Sequence, residues 1–519
     1  MLFNSYAFIF LFLPVTFVVF FLIARASHKL AAGWLAAMSL FFYGWWNPPY
    51  VTLLLASILF NYVMGMAIAH AEMRGEARRN RWLTVFAVGT DLALLGYYKY
   101  TNFFLENVNI LLEAGPLSPE IILPLGISFF TFTQIAFIVD AHKGKVKEYS
   151  FVHYCLFVSY FPHLIAGPIF HHAEMMPQFG QASTYRLQAE NVAVGLTIFI
   201  IGLFKKVILA DGIQPYVGAL FDLPKTGVEP TFLEAWAGVT AYSLQLYFDF
   251  SGYSDMAIGL SRVFGVKLPI NFHSPYKAAN IAELWQRWHI TLSRFLREYV
   301  FTPMGGRRKN WAPRYWSLFA TMVLCGIWHG AGWTYVVFGL LQGFYLCVNQ
   351  AWRTLRRRLA GEKPRPTRWG RVVACLLTFA AWLVGLAFFR SESVPDALVL
   401  VQSMFGMNGF ALPDYWLAKW GALGQWLAAS GVPFTEARGL VRGGLVNWII
   451  ILLAIVWFAP NTQQIMAHYS PALLLPRDME PARWFGWRPS PALAVLAAGL
   501  AIAAIVNLHR HSEFLYFQF

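Results

Sequence analysis

The stretch that decides the fold runs from Asn271 to Gly343 and reads NFHSPYKAANIAELWQRWHITLSRFLREYVFTPMGGRRKNWAPRYWSLFATMVLCGIWHGAGWTYVVFGLLQG. It sets two histidines, His289 and His329, among apolar, aromatic and basic residues. Ionisable groups at membrane depth are costly, so both histidines are candidates for function. A lone histidine in a membrane also serves as a hydrogen-bond partner between helices, and that structural interpretation stays open for both residues.

The surroundings of His329 make it the stronger candidate for a catalytic base. Glycine lets a backbone or a ligand approach closely, and tryptophan offers a flat wall that does not compete for hydrogen bonds. Both residue types are dense here: the neighbours of His329 include Gly326, Gly330, Gly332, Trp328 and Trp333.

The segment LWQRWHITLSRFLREY places His289 on what we predict to be a helix rich in tryptophan. At helical period Arg287, Arg294 and Arg297 lie around the histidine, an arrangement that favours an anionic cofactor such as coenzyme A over bare lipid. Basic side chains near a membrane surface are also common, so a lipid contact remains open.

Composition identifies a membrane protein. Of 519 residues 58% are hydrophobic and 13% charged, and the mean hydropathy is +0.50, outside the range of soluble domains. The net charge of +14 would suggest nucleic acid in a soluble chain, but the basic residues cluster between apolar spans, as cytoplasmic loops do. The four cysteines lie in apolar stretches without metal-like spacing, and we interpret them as packing residues.

Several motifs resemble the membrane-bound O-acyltransferase family, and within it the bacterial branch that acetylates exported polysaccharides such as alginate. The resemblance is carried by ELWQRWHITLSRFLREYV, MGG and WHG, and by four further stretches: GYYKYTNFF at 96–104, LPLGISFFTF at 123–132, FPHLIAGPI at 161–169 and YFDFSGYSDMAIGL at 247–260.

The resemblance implies an all-α polytopic fold, with transmembrane helices and re-entrant segments around a central tunnel. We expect a catalytic core over 1–390 and a C-terminal extension over 391–519. His329 would be the essential base, because imidazole takes a hydroxyl proton near neutral pH. His289 with Arg287, Arg294 and Arg297 would support the site or bind the donor. Cytoplasmic acetyl-CoA is the expected donor, no metal is expected, and periplasmic acetyltransferase subunits are the expected partners.

The basic loops set the predicted topology, a multi-pass protein of the inner membrane with both termini in the periplasm. We count about eleven spans, since ~20 apolar residues cross a bilayer core. Residues 151–169 contain Pro162, His163, Gly167 and Pro168 and are predicted to be re-entrant or discontinuous, with His163 as a satisfied polar group. Asp249 and Asp255 are predicted to form structural ion pairs, with arginine as the usual partner, and a catalytic role is the alternative.

The terminal FLYFQF contains the third catalytic candidate, Tyr516. Its aromatic residues are costly to solvate, so the tail is expected to dock on an apolar surface. Anchoring at the membrane interface is the simpler interpretation. The resemblance adds another one: in D-alanylation relatives a small peptide ends in a similar F-x-Y-x-x-F pattern whose tyrosine is taken as the acyl carrier. Phe514, Tyr516 and Phe519 reproduce that spacing.

Two rival functions remain at this stage. D-alanyl or lipid O-acylation by the same fold would use a carrier protein or a fatty-acyl donor, and the C-terminal extension favours the polysaccharide acetylases over it. A membrane transporter would also contain broken helices and intramembrane charges. Transporters often show two related halves, and the sequence shows no such internal repeat.

Overall fold

The computed structural model describes residues 1–113, 121–146, 148, 150–308, 310–360, 367–435, 443–476, 479–482, 485–509 and 514–515. The chain divides into two compact units. The first consists of Met1–Phe204, Ser251–Asn271 and Pro460–Gln518, and the second of Lys205–Phe250, Phe272–Ala459 and Phe519. The predicted division into a core over 1–390 and an extension over 391–519 stays a prediction.

The first unit begins with helices that alternate with short polar connections. Polar N-caps define several helix starts: Ser27 accepts a hydrogen bond from the backbone N–H of Leu30, and Ser490 accepts one from Leu493. The helices in its N-terminal part are a π-helix at Phe8–Phe12, α1 Leu13–Ala24, α2 His28–Gly44, α3 Pro49–Met73, α4 Ala77–Leu112, α5 Ile127–His142, α6 Phe151–Ser159, α7 His172–Phe179, a 3₁₀ turn at Ala182–Tyr185 and α8 Ala189–Phe204.

The second unit holds the histidine stretch. It begins with a π-helix at Lys205–Ala210 and continues through α9 Asp211–Asp222, a 3₁₀ turn at Pro224–Thr226, α10 Phe232–Val263 (whose last turns belong to the first unit), a 3₁₀ turn at Pro275–Lys277, α11 Ile281–Arg287, α12 Ile290–Phe295, a π-helix at Leu296–Gly306, α13 Trp311–His329, α14 Trp333–Ala360 and α15 Arg368–Arg390.

The remaining elements follow α15. They are α16 Val394–Met404, α17 Asp414–Lys419, α18 Ala422–Ala429, α19 Gly443–Phe458, α20 Thr462–Ile465, a 3₁₀ turn at Ala467–Tyr469 and α21 Pro491–Val506. In the described ranges, strand structure is limited to the parallel two-residue pair β1 Leu412–Pro413 and β2 Phe434–Thr435 and one isolated bridge. The predicted all-α class is therefore confirmed.

Among the residues that the structure describes, three helical segments are long and apolar enough to cross a membrane: Pro49–Met73, Ala189–Thr226 and Arg368–Arg390. Shorter apolar helices lie at Phe8–Ala24, Ile127–His142, Val394–Met404, Gly444–Phe458 and Pro491–Val506. The polytopic character is confirmed, whereas the count of about eleven spans and the central tunnel stay predictions.

The interruption predicted around Pro162 is present in the first unit. Helix α6 ends at Ser159, and the buried backbone that follows is not helical as far as His171. His163 is 5% exposed and its ring packs edge-on against Phe170 at a centroid distance of 4.4 Å. Irregular backbone of this kind is tolerated at membrane depth only where protein covers it.

The two acids of the DFSGYSD motif have different partners. In the second unit Asp249 forms the predicted ion pair, and its partner is Lys206, with Nζ 2.6 Å from the carboxylate oxygen. In the first unit Asp255 accepts hydrogen bonds from Thr462 Oγ1 at 2.5 Å and from Gln463 Nε2 at 2.9 Å. Both of these donors are neutral groups from the C-terminal part of the chain, which the expectation of an ion pair did not anticipate.

Lys206 is also paired with Asp211, at 2.8 Å, and all three side chains are buried. Removing one partner of a buried ion pair leaves an uncompensated charge and costs about 3–5 kcal/mol. We therefore expect Lys206→Met to lower the free energy of unfolding by about this amount, because two carboxylates lose their cation. Thermal unfolding of the detergent-solubilised protein measures the change.

Lys225 provides the matched control. It too contacts two carboxylates, those of Asp222 at 3.0 Å and Glu392 at 2.6 Å, but on an exposed surface. Water and ions screen such pairs, so Lys225→Met is expected to change stability by less than about 1 kcal/mol. Equal losses of stability in Lys206→Met and Lys225→Met would show that burial of the ion pairs of Lys206 makes no difference to stability.

Candidate active site

His289 lies at a break between two short helices, not inside one helix. Helix α11 ends at Arg287, Trp288 is extended, and His289 has a left-handed backbone with φ +44°. The predicted continuous helix over LWQRWHITLSRFLREY is therefore wrong. A non-glycine residue in this region is uncommon and needs support from its surroundings.

Two hydrogen bonds from outside α11 provide that support. The backbone N–H of His273 donates to the carbonyl of Arg287 at 2.9 Å, and the Ser293 hydroxyl donates to the carbonyl of Trp285 at 2.8 Å. The last carbonyls of a helix have no partner within it. These two donors satisfy the carbonyls of Arg287 and Trp285, which helps the chain to turn at His289.

Both histidine rings pack around one indole. The ring of His289, which is fully buried, lies 6.3 Å from the Trp328 ring between centroids, and the ring of His329 lies 4.9 Å from it. His329 is the last residue of α13 and is 6% exposed. The structure thus brings together the two histidines that are 40 residues apart in sequence.

The walls of this site come mainly from residues that the sequence did not single out. Phe389 packs edge-on against His329 at 5.2 Å and Phe338 at 6.3 Å, and Phe250 packs edge-on against His289 at 4.8 Å. Trp328 forms a wall as predicted, but Trp333 is 58% exposed. The wall formed by Trp333 therefore stays a prediction, since almost half of this side chain is still covered.

Close packing of α13 against α14 fixes the position of His329. Gly326 and Gly339 face each other across the two helices, and a side chain on Gly326 would run into the carbonyl of Tyr335. In membranes small residues let helix backbones approach, and packing then holds the pair together. His329 lies three residues beyond this contact, so it is held on a rigid hairpin.

The predicted donor-binding arginines have separate environments. Arg287 contacts Glu283, with Nη2 3.0 Å from a carboxylate oxygen, and its Nη1 donates to the carbonyl of His273 at 3.2 Å. Arg294 is half-buried and Arg297 is exposed. Because the helix breaks at His289, the predicted ring of three arginines around that residue is not formed by helical spacing. Binding of the donor by Arg287, Arg294 and Arg297 stays a prediction.

Lys277 is a further cation near Arg287, and the sequence reasoning missed it. Its ammonium donates to the carbonyl of Ala459 at 2.9 Å. Burial lowers the pKa of Lys277 below its ordinary value, and the charge of Arg287 lowers it further. In the sequence, Lys277 could have been noticed only through the SPYK turn, in which the lysine follows a proline and a buried aromatic residue.

The terminal tail lies partly within the described residues. Phe514 is 2% exposed and stacks on Tyr253 of the first unit at 4.5 Å, and Tyr253 stacks on Phe3 at 4.9 Å. The predicted docking of the tail on an apolar surface is confirmed for Phe514. Tyr516 lies outside the described residues, so its catalytic role stays a prediction.

Comparison with known proteins agrees with the resemblance. The profile of the membrane-bound O-acyltransferase (MBOAT) family matches residues 41–389, which contain both histidines and the walls around them. This chain belongs to the MBOAT family. The matched range ends at Phe389, the residue that packs against His329.

Curated relatives extend this finding. The chain is 42% identical over 439 residues to the peptidoglycan O-acetyltransferase of Helicobacter pylori, covering 79% of this chain and 81% of that protein. It is 38% identical over 419 residues to a probable alginate O-acetylase of Azotobacter vinelandii, covering 80% of each. A probable alginate O-acetylase of Pseudomonas syringae is 32% identical over an alignment of 554 positions that spans both chains completely.

We expect the two histidines to differ in their contribution to acyl transfer. His329→Ala should lower the rate about 10²- to 10⁴-fold, the usual contribution of a general base. His289→Ala should have a smaller effect, or one that depends on the donor. The measurement is the amount of ester-linked acyl group formed in cells that express each variant at the wild-type level.

His70→Ala is the control, since His70 is exposed at the end of α3. It should leave acyl transfer and membrane insertion unchanged. Wild-type transfer by His329→Ala would exclude His329 as the base. A loss in His289→Ala as large as in His329→Ala, with unchanged donor affinity, would contradict the proposed division of roles.

Proposed function

We propose that this chain is an O-acetyltransferase that moves acetyl groups from a cytoplasmic donor toward the hydroxyl groups of an exported polysaccharide. The observation that carries the proposal is the pair of buried histidines around Trp328 in the segment that the MBOAT profile matches. The relatives named as peptidoglycan and alginate O-acetylating enzymes support acetyl as the group and a polysaccharide as its final acceptor.

The chemistry assigns a role to each part of the site. A hydroxyl oxygen attacks the thioester carbonyl, a C–O bond forms, the C–S bond breaks, and the hydroxyl proton passes by way of His329 to the thiolate that leaves. Imidazole suits this step because its pKa lies near neutrality. The aromatic walls around His329 keep water away from the acyl group, which favours transfer over hydrolysis.

Acetyl-CoA is the donor in this proposal, and Arg287, Arg294 and Arg297 are its binding residues. Guanidinium groups bind phosphate through paired hydrogen bonds, so they suit the phosphates of coenzyme A. The exposure of Arg297 supports this assignment, because a phosphate can reach an exposed guanidinium.

Tyr516 is the acetyl carrier in this proposal. Its phenol loses a proton to His329 and takes the acetyl group as a phenyl ester. The ester then passes the acetyl group to the next nucleophile, and this transfer is favourable because phenolate is a good leaving group. The docking of Phe514 on Tyr253 supports it, since protein holds the chain two residues before Tyr516. A soluble periplasmic acetyltransferase subunit would then receive the group.

The proposal places the protein in the inner membrane with both termini in the periplasm. The apolar helices support a membrane location, and the arginine and lysine clusters between them support the orientation. A periplasmic C-terminus is consistent with Tyr516 as the carrier, because Tyr516 would deliver its acetyl group to a periplasmic partner.

A gene deletion tests the proposed function directly. Mild alkali releases ester-linked groups, so the extracellular polysaccharide and the peptidoglycan of the deletion strain are treated and the released acids are identified. We expect acetate to be lost from at least one of the two polymers and to return when the gene is restored. Loss of D-alanine or of a fatty acid, with acetate unchanged, would instead support the rival acylations.

Tyr516→Phe tests the carrier. It keeps the aromatic ring and removes only the hydroxyl, so we expect acetylation of the polymer to fall on the order of 100-fold or more, as for loss of a catalytic group. Acetate released from the purified polymer is the readout. Tyr97→Phe is the control, since Tyr97 is 56% exposed on α4 and should tolerate the change.

A reporter fusion complements this experiment. A reporter that is active only in the periplasm should be active at the C-terminus and inactive when fused after Arg79. Polymer acetylation at the wild-type level in Tyr516→Phe would mean that the tail is an anchor. An inactive C-terminal reporter would put the tail on the wrong side for delivery to a periplasmic partner.

A further inference from the structure

One end of the second unit carries an arginine-rich surface that the proposed reaction does not use. It is formed where the π-helix Leu296–Gly306 meets α13, where α14 ends and where α15 begins. We call it the arginine face, and it consists of Arg307, Arg308, Arg314, Arg353, Arg356, Arg357, Arg358, Arg368 and Arg371. All nine side chains are exposed.

Helix register brings these residues to one end. Helices α13 and α14 run antiparallel: Gly326 packs on Gly339, and the Cys347 thiol lies 3.7 Å from the carbonyl of Tyr315. Continued along both helices, this register places Arg314 beside the part of α14 that lies about one and a half turns before Arg353.

Helix α15 joins the same end. It packs antiparallel to α14, with Gly385 against Gln342 and Phe338. When the antiparallel pairing of α14 and α15 is continued toward the start of α15, Arg368 and Arg371 lie level with the arginines at the end of α14. The start of α13, the end of α14 and the start of α15 therefore form one positively charged surface.

The charge of the arginine face is almost uncompensated. Among the described residues from Arg297 to Arg371, Glu298 is the one acidic side chain. Within the part of the chain that the structure describes, no ion pair joins any of the nine arginines to an acid. Nine like charges on one surface repel one another, so an anionic ligand would stabilise the folded state.

Exposed tryptophans surround the arginines. Trp311, Trp316, Trp352 and Trp369 are all more than half exposed. Tryptophan is enriched where the hydrocarbon core meets the headgroups. Helix α14 has 28 residues, a length of about 42 Å at 1.5 Å per residue, which exceeds the ~30 Å hydrocarbon core. Its last turns, with Arg353 to Arg358, therefore extend into the headgroup layer.

We propose that the arginine face is a binding site for anionic phospholipid headgroups. Arginine binds phosphate through two parallel N–H···O bonds, and the exposed indoles insert beside the acyl chains that belong to the same lipids. A free phosphate compound would use the arginines but would leave the tryptophans in water. The combination of both residue types therefore favours a lipid as the ligand.

This site has a consequence for His329. Helix α13, which is 19 residues long, carries Arg314 of the arginine face in its first turn and His329 as its last residue. Anionic headgroups that hold the first turn at the headgroup layer also fix the depth of the histidine, because a helix is stiff over this length. The lipid thereby sets the position of the catalytic base relative to the bilayer.

The test compares lipid binding by two triple variants. The full-length protein is reconstituted into nanodiscs of phosphatidylcholine that contain a small fraction of brominated phosphatidylglycerol, and quenching of tryptophan fluorescence reports bound anionic lipid. Arg356→Gln, Arg357→Gln and Arg358→Gln together should weaken this binding on the order of 100-fold, since each basic residue near an anionic surface contributes about fivefold.

The control variant removes three charges elsewhere. Arg78→Gln, Arg79→Gln and Arg81→Gln together neutralise the exposed start of α4, which lies close to Glu72 at the end of α3 and to Glu76, with Arg79 paired to Glu76 at 3.0 Å. It should change the quenching less than twofold. The wild-type protein should show little quenching by brominated phosphatidylcholine at the same fraction, and added coenzyme A should not displace the anionic lipid.

Three outcomes would overturn the proposal. Equal quenching by both brominated lipids would show that the headgroup charge is not recognised. Equal losses in the two triple variants would mean that only the total charge of the protein counts. Displacement of the lipid by coenzyme A would show that the arginine face binds the acyl donor instead.

Discussion

The structure of the site depends on a rule of membrane proteins: backbone polar groups without water must find partners in the protein. The break at His289 obeys it because the N–H of His273 and the hydroxyl of Ser293 reach the free carbonyls of α11. Without these donors the segment would have to remain one helix. A single helix could not present His289 toward Phe250 and Trp328 from the junction that it now occupies.

The same rule applies to charge. Asp249 precedes Phe250, which packs against His289, so the ion pair of Asp249 with Lys206 holds this part of α10 in place beside the site. Buried pairs contribute little net stability because desolvation offsets attraction. Their value here lies in geometry, since a paired carboxylate permits only a narrow range of helix rotation.

The sequence predicted the class of fold and the aromatic wall that Trp328 forms beside His329, because composition and glycine–tryptophan clustering are local properties. It also predicted burial of the aromatic tail, which holds for Phe514, and an ion pair at Asp249. It failed where distant residues decide the outcome. The helix break at His289 depends on His273 and Ser293, and the walls of the site come from Phe250, Phe338 and Phe389, whose apolar side chains carry no sign of such a role in sequence. Periodicity alone therefore placed the arginines around His289 incorrectly.

The hydrogen bond between Asp255 and Thr462 spans 207 residues of sequence, and this distance has a meaning for biosynthesis. Ribosomes add about 5–20 residues per second, so Asp255 waits roughly 10–40 s for its partner to be made. During that time a buried carboxylate at the end of the DFSGYSD motif has neither Thr462 nor Gln463. The first unit can close only after nearly the whole chain has left the ribosome, so insertion machinery and chaperones must shield an unfinished polar surface until then.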